Sequence, residues 1–416
     1  MLLPKLVTVL RDGYGLAELR KDALSGLTVA IVALPLAMAI AIASGTTPDR
    51  GLVTAIIAGF IISAVGGSRH QIGGPTAAFV IVVYGVIQKH GYDGLLLATL
   101  MAGGLLLLAG LFRLGSLIRF IPHPVITGFT AGIAVTILST QVKDFFGLGI
   151  AEVPADFIDK LAAFAHAAPS WQPLTLLIAA LSLGIIIALR RWRPTWPGFL
   201  IAIAVATLLV LLFDLPVETI QSRFGAIPSS LPSPALPQVS VARLLDLLPS
   251  AFTIALLAGI ESLLSCVIAD AMTGRHHRSN IELISQGLAN IVSPLFGGLP
   301  ATGALARTAT NIRAGAHGPV SGMLHAAFLL LFMLAFAPLA GLFPLAALAA
   351  LLVVVAWNMS EWHQIQQTAR GPKTDFAVLL ITLALTVLLD LTIAIAAGTA
   401  LSYALKLLPQ PPQHRA

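Results

Sequence analysis

Arg307 is the residue of this sequence that most clearly could bind a ligand. The other Lys and Arg residues lie in polar joints or at the borders of apolar runs, whereas Arg307 fits neither place. Residues that break a regular helix come just before it, namely Gly297, Gly298, Pro300 and Gly303. Irregular backbone at membrane depth is tolerated only where protein or a water-filled cavity surrounds it. A short helix from about residue 304 to 313 would place its positive dipole end beside a cation, which predicts an anion site.

Glu261 is an acidic counterpart, about midway along another apolar segment. An ionised carboxylate at that depth is costly unless it is paired or hydrated, which favours a functional role. A carboxyl group that exchanges a proton could couple proton uptake to anion uptake. The alternative is a structural role, in which Glu261 is neutral or bonded to serine and ties helices together. Two roles also stay open for Arg307: contact with the substrate, or pairing with Glu261 and capping of free carbonyl groups.

Several uncharged polar side chains are weaker candidates. Thr76, Thr302 and Thr308 could donate hydroxyl groups, although threonine in membrane helices often bonds its own backbone. Thr76 stands out because it directly follows a Gly-Gly-Pro sequence. Gln286 and Asn290 are four residues apart on one predicted helix, so they share a face. We expect both to bond the neighbouring broken segment.

The composition is that of a polytopic membrane protein. Of the 416 residues, 57% are hydrophobic and 10% are charged, and the mean hydropathy is +0.93. A soluble domain usually carries about 25% charged residues. The net charge of +6 does not indicate nucleic acid, because the basic residues are concentrated in alternate loops. The single cysteine, Cys266, excludes an internal disulfide and is predicted to be a small core residue. No enzyme activity, metal site or cofactor is predicted.

Successive apolar segments of about 15–22 residues predict fourteen transmembrane helices in an all-α fold. Seven of them lie within residues 23–213 and seven within 247–408. A Pro- and Ser-rich external linker, residues 214–246, separates the two sets. The polar tails are residues 1–22, where we expect no cleavable signal peptide, and 409–416. The last two spans are separated by little more than Asp390.

The distribution of basic residues predicts the orientation. Seventeen of the 24 Lys and Arg residues fall in the tails and in the joints on the same side as the N-terminus. Six fall in the other joints, and Arg307 falls in neither group. This bias favours cytoplasmic termini, in the inner membrane of the cell, and an even number of crossings.

An internal repeat relates the two halves. Residues 73–77, Gly-Gly-Pro-Thr-Ala, resemble residues 297–302, Gly-Gly-Leu-Pro-Ala-Thr. The distance in sequence between these two motifs is nearly the same as the distance between the first spans of the two halves. Because seven is an odd number of crossings, the second half must be inverted relative to the first. Paired interrupted segments in two inverted halves indicate the binding site of a transporter. The third and tenth segments should therefore be half-helices whose N-termini meet near the midplane of the membrane.

With these residues in view, the sequence resembles the sulfate permease (SulP) family of anion transporters. The run from Glu261 to Gly315 is similar to the family almost throughout, and so are residues 68–77. The resemblance implies the uracil-permease-like fold, with a core domain from spans 1–4 and 8–11 and a gate domain from spans 5–7 and 12–14. Members usually carry a STAS domain after the last span. We expect none in this chain, so the resemblance covers the transmembrane part.

The resemblance also implies the positions of the site residues. Thr76, Ala77, Ala306 and Arg307 would line the anion site, and two residues of span 1, Leu36 and Ile40, would lie beneath it. Glu261 falls where the family has an acidic coupling residue, and a glutamate there suggests coupling to protons. Leu36 replaces a common glutamine and Ala306 a common serine, so backbone amides and Arg307 would hold the anion.

These residues predict a proton-coupled symporter of small anions of the dicarboxylate, sulfate or bicarbonate type, working by alternating access. An uncoupled anion exchanger or channel of the same fold is the alternative, and a non-transporting scaffold or sensor is a remote one. The expected partners are an inorganic or organic anion, the proton and the lipid bilayer, with no nucleic acid. The sequence leaves open a homodimer and the identity of the anion.

Overall fold

The computed structural model describes residues 3–116, 122–151, 153–389 and 391–407, with no side-chain detail at 391, 392, 406 and 407. Within these ranges the chain forms seventeen α-helices and one pair of two-residue strands. Asp390 and the tail 409–416 lie outside the described residues, as does Arg119, one of the basic residues counted for the orientation.

The elements of the first half are, in chain order, α1 (Lys5–Arg11), α2 (Leu16–Ala43), α3 (Pro48–Val65), β1 (Gly73–Gly74), α4 (Val80–Leu111), α5 (His123–Phe146), α6 (Phe157–Ala167), α7 (Pro173–Trp192), α8 (Gly198–Leu212) and α9 (Ile220–Phe224). Those of the second half are α10 (Val241–Thr273), α11 (Ser279–Leu295), β2 (Thr302–Gly303), α12 (Leu305–Arg313), α13 (Val320–Gly341), α14 (Leu345–Met359), α15 (Trp362–Arg370), α16 (Lys373–Leu388) and α17 (Leu391–Leu407). A 3-10 turn, Ala77–Phe79, leads into α4.

The predicted apolar segments coincide with helices. The third and fourth segments are joined in α4, which is interrupted at Gly91, where φ is +71°. Eight stretches of the described residues are long and apolar enough to cross a membrane: Leu16–Ala43, Pro48–Val65, Ala77–Leu111, His123–Phe146, Pro173–Trp192, Val241–Thr273, Val320–Gly341 and Leu345–Arg370. Two shorter apolar helices cover Gly198–Leu212 and Ile393–Leu405. The arrangement as fourteen crossings in two inverted halves stays a prediction.

The first long helix begins earlier than its predicted start at residue 23. α2 begins at Leu16, and Asp22 in its second turn is buried. The Asp22 carboxylate accepts hydrogen bonds from the backbone N–H groups of His317 (2.6 Å) and Gly318 (3.0 Å) and from the Tyr14 hydroxyl (2.8 Å). A polar residue can thus be buried because its carboxylate has hydrogen-bond partners. A helix start predicted from hydropathy does not anticipate this.

The long helices pack in two groups. In the first group, α2, α3, α4, α10, α11, α12 and α13 contact one another. In the second group, α5, α7, α8, α14, α16 and α17 do so. Contacts between the groups include those of α14 with α2 and of α5 with α4. The broken segments and both strands belong to the first group.

The strand pair joins the two halves of the chain. β1 and β2 are antiparallel, with Gly73 opposite Gly303 and Gly74 opposite Thr302. The backbone N–H of Ala304 extends the pairing by donating to the carbonyl of Ile72 (2.8 Å). Because each strand is followed at once by a helical turn, the antiparallel pairing sends the two helices away from its opposite ends.

Candidate functional site

The candidate site is built on the starts of two helices that follow the strand pair. Thr76 precedes the 3-10 turn into α4, and Ala304 precedes α12. The first backbone N–H groups of a helix have no partner within the helix and carry its positive dipole end. Two such ends, one from each half of the chain, flank a strand pair only two residues long. This arrangement places uncommitted donors where a small anion could be held.

Arg307 lies in the first turn of α12, and its side chain is only 2% exposed. The Nη2 atom donates a hydrogen bond of 2.6 Å to the carbonyl oxygen of Pro75, whereas Nε and Nη1 have no hydrogen-bond partner in the protein. Among the ion pairs of the described residues, none joins Arg307 to Glu261. Arg307 therefore caps a carbonyl group of the other broken segment and keeps two buried donor atoms.

A glycine allows the arginine to lie in this position. Gly74 has a φ of +148°, and a Cβ atom added there would lie 2.5 Å from Nη1 of Arg307. Residues other than glycine rarely adopt such a φ. The distance from the added Cβ atom to Nη1 would also be far shorter than van der Waals contact. Gly74 thus makes room for the guanidinium directly beside β1.

Glu261 lies on α10 and connects that helix to the other half of the site. Its Oε2 atom accepts a hydrogen bond of 2.9 Å from the hydroxyl of Thr76. Thr76 is buried, whereas Glu261 is partly exposed. Thr76, at the start of a broken helix, is thus the hydrogen-bond donor, and the carboxyl group of Glu261 is the acceptor.

The remaining residues implied by the resemblance have different surroundings. Ala77 is buried in the 3-10 turn, and Ala306 is exposed in the first turn of α12. Leu36 and Ile40 are buried on α2, a helix that contacts both α12 and α4. Hydrogen bonds connect Arg307 to Pro75 and Glu261 to Thr76, so these residues are linked through the segment 75–76. Direct contacts of Leu36 and Ile40 with an anion stay a prediction.

The other threonine candidates bond backbone groups. The hydroxyl of Thr302 donates to the carbonyl of Ala258 (2.9 Å), and that of Thr308 accepts from the N–H of Ile72 (3.1 Å). These bonds fasten β2 to α10 and α12 to the segment before β1. Cys266 is buried and free, as predicted for a small core residue.

The amide side chains of α11 divide into one confirmed and one wrong prediction. Asn290 bonds the broken segment twice: its Nδ2 donates to the carbonyl of Ala301 (2.8 Å), and its Oδ1 accepts from the N–H of the same residue (2.8 Å). Gln286 instead donates to Glu282 of its own helix (2.9 Å). The prediction for Gln286 is wrong because a buried carboxylate one turn earlier takes its amide.

Sequence reasoning missed Glu282 itself. This side chain is fully buried and accepts hydrogen bonds from Gly67, Gln71, Ser262 and Gln286. The signal that could have revealed it is a glutamate one helical turn before Gln286 within an otherwise uncharged helix. Its other partners come from remote parts of the sequence.

Two further observations on the described residues concern metal ligands and the place of a cavity. They contain no group of three or more His, Cys, Asp or Glu side chains that could hold a metal ion. A cavity of about 340 Å³ lies away from the strand pair, where α5, α7 and α14 meet the segment 217–223, and the ion pair of Arg223 with Asp144 (2.8 Å) borders it.

Comparison with known proteins assigns the chain to a family. A model of the sulfate permease family matches residues 19–382. YvdB of Bacillus subtilis (strain 168) is 46% identical over 392 residues, which cover 94% of this chain and 74% of YvdB. The chain belongs to the sulfate permease family. The resemblance seen in the sequence is thereby confirmed.

Two comparisons with bicarbonate transporters show similarity in sequence and in structure. The bicarbonate transporter BicA of Synechocystis is 33% identical over 391 residues, which cover 92% of this chain and 68% of BicA. The solved transmembrane domain of a cyanobacterial bicarbonate transporter BicA superimposes with a TM-score of 0.84 at 32% identity, covering 92% of this chain and 98% of that domain. This sulfate permease family member is an integral membrane protein with the helical fold of a membrane transporter.

Proposed function

We propose that this family member is a secondary active transporter of a small anion, and that the anion binds between the starts of α4 and α12. The observation that carries the proposal is the pairing of β1 with β2, which brings two helix starts beside a buried arginine with two free donor atoms. The name of the sulfate permease family supports sulfate as the substrate, and the name of the bicarbonate transporter BicA supports bicarbonate. A dicarboxylate is a third candidate.

The proposed site consists of Thr76, Ala77, Ala306 and Arg307, with Leu36 and Ile40 of α2 beneath. Helix starts hold anions through backbone N–H groups, which do not depend on side-chain type. A site of this kind tolerates alanine and leucine at positions where hydroxyl or amide groups could stand. The guanidinium adds a full charge and a planar donor set suited to an oxyanion.

Alternating access is proposed to occur by movement of the first helix group, as the core, against the second group, as the gate. Two packing groups with a smaller set of mutual contacts support this division. The site belongs to the first group, so movement of that group would expose the anion to one side of the membrane and then to the other.

Coupling to protons is proposed to depend on Glu261. A carboxyl group at the edge of the site, held by Thr76, could accept a proton when the anion binds and release it when the anion leaves. The alternative is an uncoupled exchanger or channel, in which Glu261 only holds Thr76. The two mechanisms differ in whether a proton gradient drives accumulation.

The test uses the full chain purified and reconstituted into liposomes. Radiolabelled bicarbonate, sulfate and succinate are offered in parallel, first in counterflow and then with an inward proton gradient. We expect counterflow of at least one anion and accumulation that collapses when a protonophore is added. Absence of counterflow for every small anion would contradict anion transport, and accumulation independent of the gradient would contradict proton coupling.

A further inference from the structure

Glu282 is a second buried carboxyl group, and the proposed mechanism does not use it. It lies in the first turn of α11 and is 0% exposed. Oε2 accepts a hydrogen bond from the backbone N–H of Gly67 (2.9 Å). Oε1 accepts from Gln71 Nε2 (3.2 Å), Ser262 Oγ (3.1 Å) and Gln286 Nε2 (2.9 Å). No Lys, Arg or His of the described residues forms an ion pair with it.

The four partners of Glu282 are all donors. A carboxylate satisfies them with both oxygen atoms, whereas a protonated carboxyl group would turn its own hydroxyl toward another donor. The start of a helix adds favourable positive potential for an anion. The geometry therefore fits a carboxylate that stays in place as an acceptor, in contrast to Glu261, which has one side-chain donor and an exposed edge.

The partners of Glu282 connect directly to the two sides of the anion site. Gln71 lies two residues before β1, and its Nε2 also donates to Oγ of Ser262 (2.8 Å). Ser262 is the chain neighbour of Glu261 on α10. Glu282 thus orients one residue that leads into β1 and one that adjoins the acidic group of the site.

Gln71 also sets how closely β2 can approach. A Cβ atom added to Gly303 would lie 1.8 Å from Nε2 of Gln71, so the amide rests against the backbone of β2. A movement of that amide toward β2 would press on Gly303, the residue paired with Gly73. The position of one amide group is therefore coupled to the spacing of β1 and β2, the strands that precede Thr76 and Arg307.

We propose that Glu282 is a positioning residue of the anion site, acting as a fixed acceptor that orients Gln71 and Ser262. Through Gln71 it holds β1 against β2, and through Ser262 it holds the turn of α10 that carries Glu261. The inference rests on the proposed function, because it assigns Glu282 a role in the geometry of the proposed anion site.

The decisive variant is Glu282→Gln, which keeps the shape of the side chain but turns an NH₂ group toward donors. We expect the KM for the transported anion to rise about ten- to a hundredfold, the range that loss of one charged hydrogen bond corresponds to. KM is the chosen readout because it does not depend on the fraction of active protein. The control is Glu18→Gln, a partly exposed carboxylate that also accepts from a backbone N–H, that of Gly15 (3.0 Å). We expect it to keep the wild-type KM.

A rescue variant separates positioning from general damage. The exchange Glu282→Gln with Gln71→Glu restores one carboxylate and one amide between the same partners, and we expect it to recover most of the lost affinity. If Glu282→Gln does not fold, Ser262→Ala is measured instead, with an expected KM increase of several-fold, because one link between Glu282 and α10 is lost. All variants are assayed with radiolabelled bicarbonate, sulfate and succinate.

The outcomes distinguish the two proposals. If the wild-type chain transports none of the three anions, the proposed function fails. If the wild type transports and Glu282→Gln, or Ser262→Ala in its place, keeps the wild-type KM, the positioning role is refuted. It is equally refuted if the exchange variant folds but is no better than Glu282→Gln.

Discussion

Replacement of Gly74 by alanine should disturb the candidate site without substituting any of the residues proposed to bind the anion. The added Cβ would lie 2.5 Å from Nη1 of Arg307, and the backbone would keep a φ of +148° that alanine tolerates poorly. Backbone strain of this kind costs about 1–3 kcal/mol. Displacement of Arg307 from the Pro75 carbonyl would cost a further 1.5–3 kcal/mol, roughly the value of a hydrogen bond to a charged group.

The expected loss of unfolding free energy is therefore about 2.5–6 kcal/mol, a large share of the roughly 5–15 kcal/mol of a folded protein. If the variant still folds, the displaced guanidinium should raise the KM at least about tenfold, which corresponds to about 1.4 kcal/mol. Thermal unfolding of the purified protein and anion uptake into liposomes measure the two effects separately.

The matched control is Gly85→Ala on α4. A Cβ atom added there has no neighbour within 4 Å, and its φ is not in the positive region. Alanine in a helix interior is favoured over glycine by about 0.5–1 kcal/mol. We therefore expect unchanged KM and equal or higher thermal stability. A Gly74→Ala variant with wild-type stability and wild-type KM would refute the close packing of Arg307 on β1.

Three further predictions address individual side chains. Arg307→Ala should raise the KM for the anion about thirtyfold or more, and Thr76→Ala only about fivefold, because a charged donor is worth more than a neutral one; equal, negligible effects on uptake would remove Arg307 from the site. Glu261→Gln keeps an acceptor for the Thr76 hydroxyl and removes the titratable group, so uptake driven by a proton gradient should be lost; intact but pH-insensitive uptake would instead support the uncoupled alternative. Asn290→Leu removes both hydrogen bonds to Ala301 and should lower the unfolding free energy by about 2–4 kcal/mol. Calorimetry in which the unfolding free energy falls no further than for a substitution at an exposed position would contradict this.

Backbone-breaking residues made the two helix interruptions predictable from the sequence. Gly and Pro at 73–75 and 297–303 cannot continue a membrane helix, so both interruptions were found where the structure has them. The helix after the second interruption was predicted at 304–313 and is observed at Leu305–Arg313. Gly and Pro interrupt a helix because of their own backbone properties, so these positions could be predicted without knowledge of tertiary contacts.

The partners of the buried polar groups were not predictable in the same way. The sequence left two roles open for Arg307, and only the pairing of the halves shows that its guanidinium bonds Pro75, 232 positions away. Glu282 was missed for the same reason, since three of its four donors lie outside its own helix. Periodicity describes which face of a helix is apolar, but it carries no information on which remote donor meets a given acceptor.

The strand pair of Gly73–Gly74 with Thr302–Gly303 also governs when the site can come into existence. As the chain is made, β1 and the start of α4 enter the membrane long before β2 has been synthesised, and until then their polar backbone groups lack these partners. Contacts between residues so far apart in sequence form late and slowly. The candidate site therefore needs both halves of the chain, and it cannot form before β2 has been made.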